Sequence, residues 1–300
     1  RAVEMQKKFD VGHAFHDLEK FFASGIDAVI ITSPASVHFE HVIAAAAHGK
    51  PALCEKPLAM NEDQAQQMIT VMQQANLPLF VGFTYRFAPV ALEIKRMIDA
   101  GEIGTLRSLR LPYVWDCHGK FNERANPASG LYQRRVGRMD EGGPMVDCGV
   151  HQIDLARWWT GSEITRVTGA GAWVEQEGYD APDHIYLHAD HANGAHTMVE
   201  ISFTYGHTTL EPRNVFAYEL IGTNGLIRYS RENHSFELLN DQGTRKLQWT
   251  DEKNFEGMYA NFESALRTGE NGNMPTAADG LIATKIARRA TEAAIAWRKS

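Results

Sequence analysis

Two short stretches hold residue types that could do chemistry. The first is Glu55-Lys56-Pro57. It ends a short apolar strand, the proline fixes a turn, and the lysine is delivered at the strand's mouth. A lysine so placed can hydrogen-bond a hydroxyl or carbonyl and stabilise negative charge developing there. Taken alone, the tripeptide is more often a solvated loop lysine. The second stretch runs from Glu141 to His151. Gly142, Gly143 and Pro144 launch a helix on which Asp147 and His151, four apart, share a face. Asp154 and Trp158 continue that stripe, and Val146, Val150 and Ile153 form the apolar one beside it. A histidine that titrates near neutrality, one turn from a carboxylate, suits general acid–base work. The alternative is a polar helix face with a local Asp–His pair, which spacing alone favours.

Other histidines say less. His184, His188, His191 and His196 flank a hairpin turn, where solvent-facing positions are the simplest outcome. No carboxylate–histidine helix or cysteine set completes a metal site around them, so no metal is expected. His38 lies near the end of a strand, whereas His41 should face solvent. Tyr205 and His207 end a strand and fit a pocket wall or a surface turn equally well. Trp158 and Trp159 are core candidates.

These residues need elements to position them. Ala28–Ile31, Pro51–Cys54 and Leu79–Val81 are short apolar runs of the kind that fill buried parallel strands. Between them lie a helix capped by Ser36 and stopped by Gly49, and one capped by Asn61 carrying Ala65, Met68, Ile69 and Met72. Strands joined by helices predict a doubly wound parallel sheet, whose ligands sit beyond the carboxyl ends of its strands. Ser33-Pro34 and Glu55-Lys56-Pro57 both lie at such ends. After about residue 104 the pattern changes. A strand over 106–115, a polar loop over 116–143 and a helix over 144–159 lead into strands and tight turns over 164–250. Asn193-Gly194 is the strongest hairpin signal. A helix over 277–298 closes the chain.

The 300 residues suit two domains, with 44% hydrophobic and 22% charged residues. The net charge of −7 argues against a nucleic-acid partner. No apolar run is long enough to span a bilayer. Three scattered cysteines, Cys54, Cys117 and Cys148, form neither a disulfide framework nor a zinc cluster. They suit a reducing compartment, and a cytoplasmic location is expected.

Thr32-Ser33-Pro34-Ala35-Ser36-Val37-His38 and the run from Ala46 to Pro57 resemble the Gfo/Idh/MocA oxidoreductase family, with its T-P-x-x-x-H turn and E-K-P run. Phe83-Thr84-Tyr85-Arg86-Phe87 is similar to its N-x-R-F segment, and Gly142-Gly143 through Asp147 and His151 to its G-G-x-x-x-D-x-G-x-H helix. The ordered set covers nearly the whole chain. It implies a Rossmann-type parallel sheet over 1–84 and an α+β substrate-binding and oligomerisation domain with a large, mostly antiparallel open sheet over 85–276. The C-terminal helix over 277–300 is expected to pack back on the Rossmann domain. The family's opening strand and G-x-G-x-x-G turn have no counterpart here, so an N-terminally truncated Rossmann domain and a longer parent protein are expected. Glu141 stands where the family often has a third glycine.

The resemblance further implies an enzyme that moves a hydride between NAD or NADP and a secondary alcohol or ketone of a sugar or cyclitol. Lys56, Asp147 and His151 would be its catalytic residues. Ser33, Pro34, His38, Glu55, Lys56 and Arg86 would line the dinucleotide, and Lys56, Arg86, Asp147 and His151 the substrate. A homodimer or homotetramer is expected. Alternatives on the same scaffold are a glycosidase that retains NAD and works by oxidation and elimination, and a non-catalytic dinucleotide or sugar sensor.

Overall fold

The computed structural model describes residues 2–121, 126–175, 178–250 and 253–300. Helices α1 (Ala2–Phe9) and α2 (Leu18–Phe22) precede an alternation of β1 (Val29–Ile31), α3 (His38–Ala47), β2 (Ala52–Cys54), α4 (Glu62–Gln74) and β3 (Leu79–Val81). The strands pair in parallel in the order β1-β2-β3. β2 and β3 are buried on both faces, which is why they read as unbroken apolar runs. Asn61 caps α4 by accepting from the Gln64 amide at 2.9 Å, and the buried stripe is Ala65, Met68, Ile69 and Met72. The start of α3 departs from expectation. A 3-10 turn at Ala35–Val37 leads into it, and no side chain, Ser36 included, caps it.

Helix α5 (Pro89–Asp99) leads into an eight-stranded sheet. Its strands are β4 (Leu106–Val114), β5 (Ile164–Ala172), β6 (His184–His191), β7 (His196–Ser202), β8 (Val215–Gly222), β9 (Gly225–Ser230), β10 (Ser235–Asn240) and β11 (Gly243–Lys246). The order is β11-β10-β9-β8-β4-β7-β6-β5, and only β4 and β7 run parallel. Asn193-Gly194 makes the turn from β6 to β7, with Gly194 at φ +82°. Along β6, Ile185, Leu187 and Ala189 are buried while His188 is exposed. This alternation turns one face to the core.

Two expectations change between β4 and β5. The stretch read as polar loop contains helix α6 (Gly130–Asp140), capped by Ser129, which accepts from the Leu131 amide at 3.1 Å. Its few apolar residues gave no helical period to read. The single helix over 144–159 is instead a π-helical turn at Met145–Gly149 followed by α7 (Val150–Thr160).

Helices α8 (Phe255–Thr268) and α9 (Ala277–Lys299) close the chain. Just before α9 the Val81 amide donates to Pro275 O at 2.9 Å, so this segment lies along β3. Further on, α9 packs on β5, where a Cβ at Gly169 would sit 2.0 Å from Ala290 O. One apolar cluster joins both sheets through Val42, Leu58, Met68, Val150, Ile153, Val199, Leu220 and Ala287. Trp159 lies inside it and donates to Ala91 O at 3.1 Å. Among the described residues no helix is long and apolar enough to cross a membrane.

Candidate active site

Lys56 follows β2 at the carboxyl end of the parallel sheet. The ladder carries on past the strands through Glu55 N to Ile31 O at 2.9 Å and Gly82 N to Cys54 O at 2.8 Å. These bonds fix the lysine's stem. Its ammonium crosses to the π-helical turn and donates to the Asp147 carbonyl at 2.6 Å and to Asp147 Oδ1 at 2.9 Å. A π-helical turn interrupts the regular i→i−4 ladder, and here it leaves a backbone carbonyl that a side chain can use. Two glycines aim this turn. Gly142 and Gly143 take φ values of +125° and +79°, and a Cβ on either would come within 2.8 Å of a neighbouring side chain.

Asp147 is nearly closed to solvent, while the Lys56 side chain keeps 15% of its surface. Burial works against the Asp147 charge, but Lys56, Arg138 and Arg134 outweigh it and hold the pKa at about 2. Burial also opposes the Lys56 charge, and Asp147 with its neighbours lifts the lysine above its ordinary value. The pair is therefore ionic throughout the working pH range.

His151 lies beside them in an apolar setting. The edge of its ring meets Tyr85 (centroids 4.8 Å, 88°) and Phe83 (5.9 Å, 69°). Its Nδ1 is buried without a hydrogen-bond partner. Burial, then the charges of Lys56 and Lys253, push its pKa well below the usual histidine value. These influences keep the ring neutral at pH 7. Asp147 does not orient it: that carboxylate turns to Lys56 and the arginines, so the local Asp–His pair does not form.

Ser33, Pro34 and Glu55 follow the ends of β1 and β2. His38 is buried, with Nδ1 2.9 Å from Pro57 O and Nε2 2.9 Å from Ser33 O. It thus lies between the two turns, within hydrogen-bond distance of a carbonyl from each. Ser33 Oγ meets His41 Nδ1 at 2.9 Å, so His41 is half-buried and not the solvent-facing residue expected. Pro34 is exposed, and Glu55 Oε2 accepts from the Lys56 amide at 3.2 Å.

The structure does not bring Arg86 to this cluster. Its guanidinium forks onto Asp154, Nε to Oδ2 at 2.8 Å and Nη2 to Oδ1 at 2.7 Å, with Asp279 at 3.8 Å. This buried fork engages Nε and Nη2 of Arg86. Asp154 is taken up by Arg86 and not by Lys56. His191 is buried, bonded to Thr197 Oγ1 at 2.8 Å and near Ser162 O, rather than facing solvent.

Sequence reasoning missed Arg134, Arg138, Tyr85 and Lys253. Arg134 donates to Glu141 at 2.9 Å and reaches Asp147 Oδ1 at 3.5 Å. Arg138 Nε stands 3.4 Å from Asp147 Oδ2. Lys253 Nζ lies 4.7 Å from the Tyr85 ring centre. The signal for the two arginines was their i,i+4 spacing after a capping serine. Among the described residues no group of three or more metal-ligating side chains is assembled.

Comparison with known proteins fits this architecture. Residues 1–83 match the model for the oxidoreductase family with an NAD-binding Rossmann fold, and residues 91–228 match the GFO/IDH/MocA C-terminal domain. A scyllo-inositol 2-dehydrogenase (NAD(+)) of Bacillus subtilis is 32% identical over 237 residues, covering 74% of this chain and 63% of that protein. The rhizopine catabolism protein MocA of Rhizobium meliloti is 30% identical over 210 residues, 68% of this chain and 59% of that one. The matches thus span less than two thirds of these curated relatives. An inositol dehydrogenase homolog from Azotobacter vinelandii, solved with NADH and myo-inositol, superposes with a TM-score of 0.81 at 18% identity, covering 98% of this chain and 84% of that one. With models of both halves matched in order, the chain belongs to the Gfo/Idh/MocA oxidoreductase family.

Proposed function

We propose that this chain serves an NAD- or NADP-dependent oxidoreductase that interconverts a secondary alcohol and a ketone on a sugar or cyclitol. The observation that carries the reading is the neutral His151 beside the fixed Lys56–Asp147 pair. Lys56 spends two of its three ammonium hydrogens on Asp147. Its third is available to a substrate oxygen.

The residues present fit the reactive end of a nicotinamide dinucleotide. Ser33 and Pro34 follow β1 and Glu55 and Lys56 follow β2, so all stand at the carboxyl end of the parallel sheet, where His38 lies between the two turns. When bound, the cofactor supplies the two-electron oxidant or reductant at its nicotinamide. The protein's share is positional and electrostatic. His151 takes the hydroxyl proton as the carbinol is oxidised. Lys56 stabilises the oxygen as it gains negative character, and Asp147 holds Lys56 in place and accepts from a neighbouring hydroxyl. In this reading residues 1–84 hold the dinucleotide, residues 85–276 the substrate, and the helix over 277–300 braces the first against the second.

The test is turnover, followed by absorbance of reduced cofactor with a panel of sugars and cyclitols. His151→Gln should lower kcat by about 10²- to 10⁴-fold, the usual loss of a general base. Wild-type turnover in that variant would remove His151 as the base. Release of a nitrophenyl leaving group without net change in the cofactor would favour the NAD-retaining glycosidase instead.

A further inference from the structure

Three cations converge on Asp147, and they are not equally occupied. Lys56 donates twice to Asp147. Arg134 donates twice to Glu141 and reaches Asp147. Arg138 is different. Among the described residues its one hydrogen bond is from Nη1 to the Cys117 thiol at 3.5 Å, a weak acceptor. Its Nε is buried, and Asp147 Oδ2 at 3.4 Å is near enough for charge attraction but gives it no hydrogen bond. The guanidinium lies over the Trp115 ring, 5.1 Å from its centre, which restrains it. About a fifth of the side chain, 22%, remains open to solvent.

Lys56, Arg134 and Arg138 face Asp147 and Glu141, and the Glu55 carboxylate stands beside Lys56 as a third. A neutral polyol would exclude water from Arg138 without offering it a charge. A carboxylate would present two acceptors to a planar fork, the pairing for which guanidinium geometry is suited.

We infer that the substrate is a sugar acid, an aldonate or uronate, whose carboxylate is received by Arg138 while its carbinol faces Lys56 and His151. This assignment rests on the hydride-transfer reading above and narrows its substrate class. The reaction balances as before: the carbinol becomes a ketone, its proton goes to His151 and its hydride to the nicotinamide. Arg138 binds and orients, and takes no part in the proton's path.

The experiment compares glucuronate and gluconate with glucose and myo-inositol, and with glucose 6-phosphate, in the NAD-loaded holoenzyme. Wild-type kcat/KM should favour the acids by about 10- to 100-fold, the worth of a charge-assisted hydrogen-bond pair. In Arg138→Gln that ratio should collapse towards one, mainly through KM, and Arg138→Lys should restore part of it. Equal or better turnover of neutral sugars by the wild type overturns the assignment, as does an unchanged ratio in Arg138→Gln. A preference for the phosphate ester overturns the carboxylate. Binding of the same compounds to the NADH complex is measured by calorimetry alongside. Acid binding that Arg138→Gln abolishes, with no turnover of any compound, would uphold the anion site and sink the hydride-transfer reading. Absence of acid binding would overturn the inference whatever the turnover.

Discussion

Asp147 and Asp154 stand seven residues apart on one helical segment, and both are closed to solvent. Each holds a basic side chain from the first hundred residues: Lys56 for Asp147, Arg86 for Asp154. Yet their acidities move in opposite directions. Asp147 has Lys56, Arg138 and Arg134 around it and drops to about 2. At Asp154, burial is the larger influence and the like charge of Asp279 adds to it, so the pKa rises although Arg86 and Arg157 pull it down. Burial alone therefore does not define a site; the balance of charge does. In the first cluster the Lys56 and Arg138 side chains stay partly open to solvent. The second joins Arg86, Asp154, Arg157, Asp279 and Glu163 in mutually bonded positions, with little left for a ligand. It ties the β3 exit turn, α7 and the start of α9 together.

Removing the basic partner on each side puts this contrast at risk. Lys56→Met should lower kcat by about 10²- to 10³-fold, the scale of losing an oxyanion-stabilising donor. It should cost less stability than the parallel change below, because Asp147 keeps two arginines. Arg86→Met leaves Asp154 buried without its fork and should lower unfolding free energy by about 3–5 kcal/mol. Turnover per folded molecule should remain close to wild type. Denaturant melts paired with active-site-normalised kinetics check both. If Lys56→Met were the less stable variant, or Arg86→Met the less active one, the two clusters would not divide as described.

His151 gives a smaller effect with a definite sign. Its pKa in the folded protein lies well below that of an unfolded histidine. Below pH ~6.5 the unfolded chain takes up a proton that the folded ring refuses, so stability rises with pH through this window and is lost as pH falls. The slope approaches about 1.4 kcal/mol per pH unit for one such group. His151→Gln should remove it, so the difference in stability between variant and wild type should change between pH 7.5 and 5.5. A parallel pH dependence in the two proteins would mean that His151 is not held neutral. For the same reason the acid limb of kcat/KM should lie below pH ~6.5.

Much of this was legible because local rules agreed with the fold. The strands β1 to β3, the Asn61 cap and the Asn193-Gly194 turn all have short-range signatures. What was missed depended on long-range geometry. Arg86 sits in a motif that points to a ligand, but its partner Asp154 is 68 residues away. The π-helical turn at Met145–Gly149 has no mark in the residue pattern. Arg134 and Arg138 lay in a helix too polar to show a period, so the cations that set the charge of the site were read as loop.

The smallest predicted effect tests whether the structural cluster depends on how α9 begins. Thr276 and Asp279 form a reciprocal cap: Asp279 Oδ2 accepts from the Thr276 amide at 2.9 Å, and the Thr276 hydroxyl accepts from the Asp279 amide at 3.3 Å. The same Asp279 accepts from Arg157 through Oδ1 at 2.9 Å. Cap and ion network thus share one side chain, one oxygen for each. Thr276→Ala should cost about 1 kcal/mol for the lost cap. It should also free Asp279 to move, and so weaken Arg157's hold on it. In a double-mutant cycle with Arg157→Met, the coupling should therefore be at least 0.5 kcal/mol, the level expected of side chains in one network and above that of independent sites. Additive losses would show that the cap and the network are separate devices that merely meet at Asp279. Throughout, kcat should be unaffected, because nothing in this cluster touches Lys56 or His151.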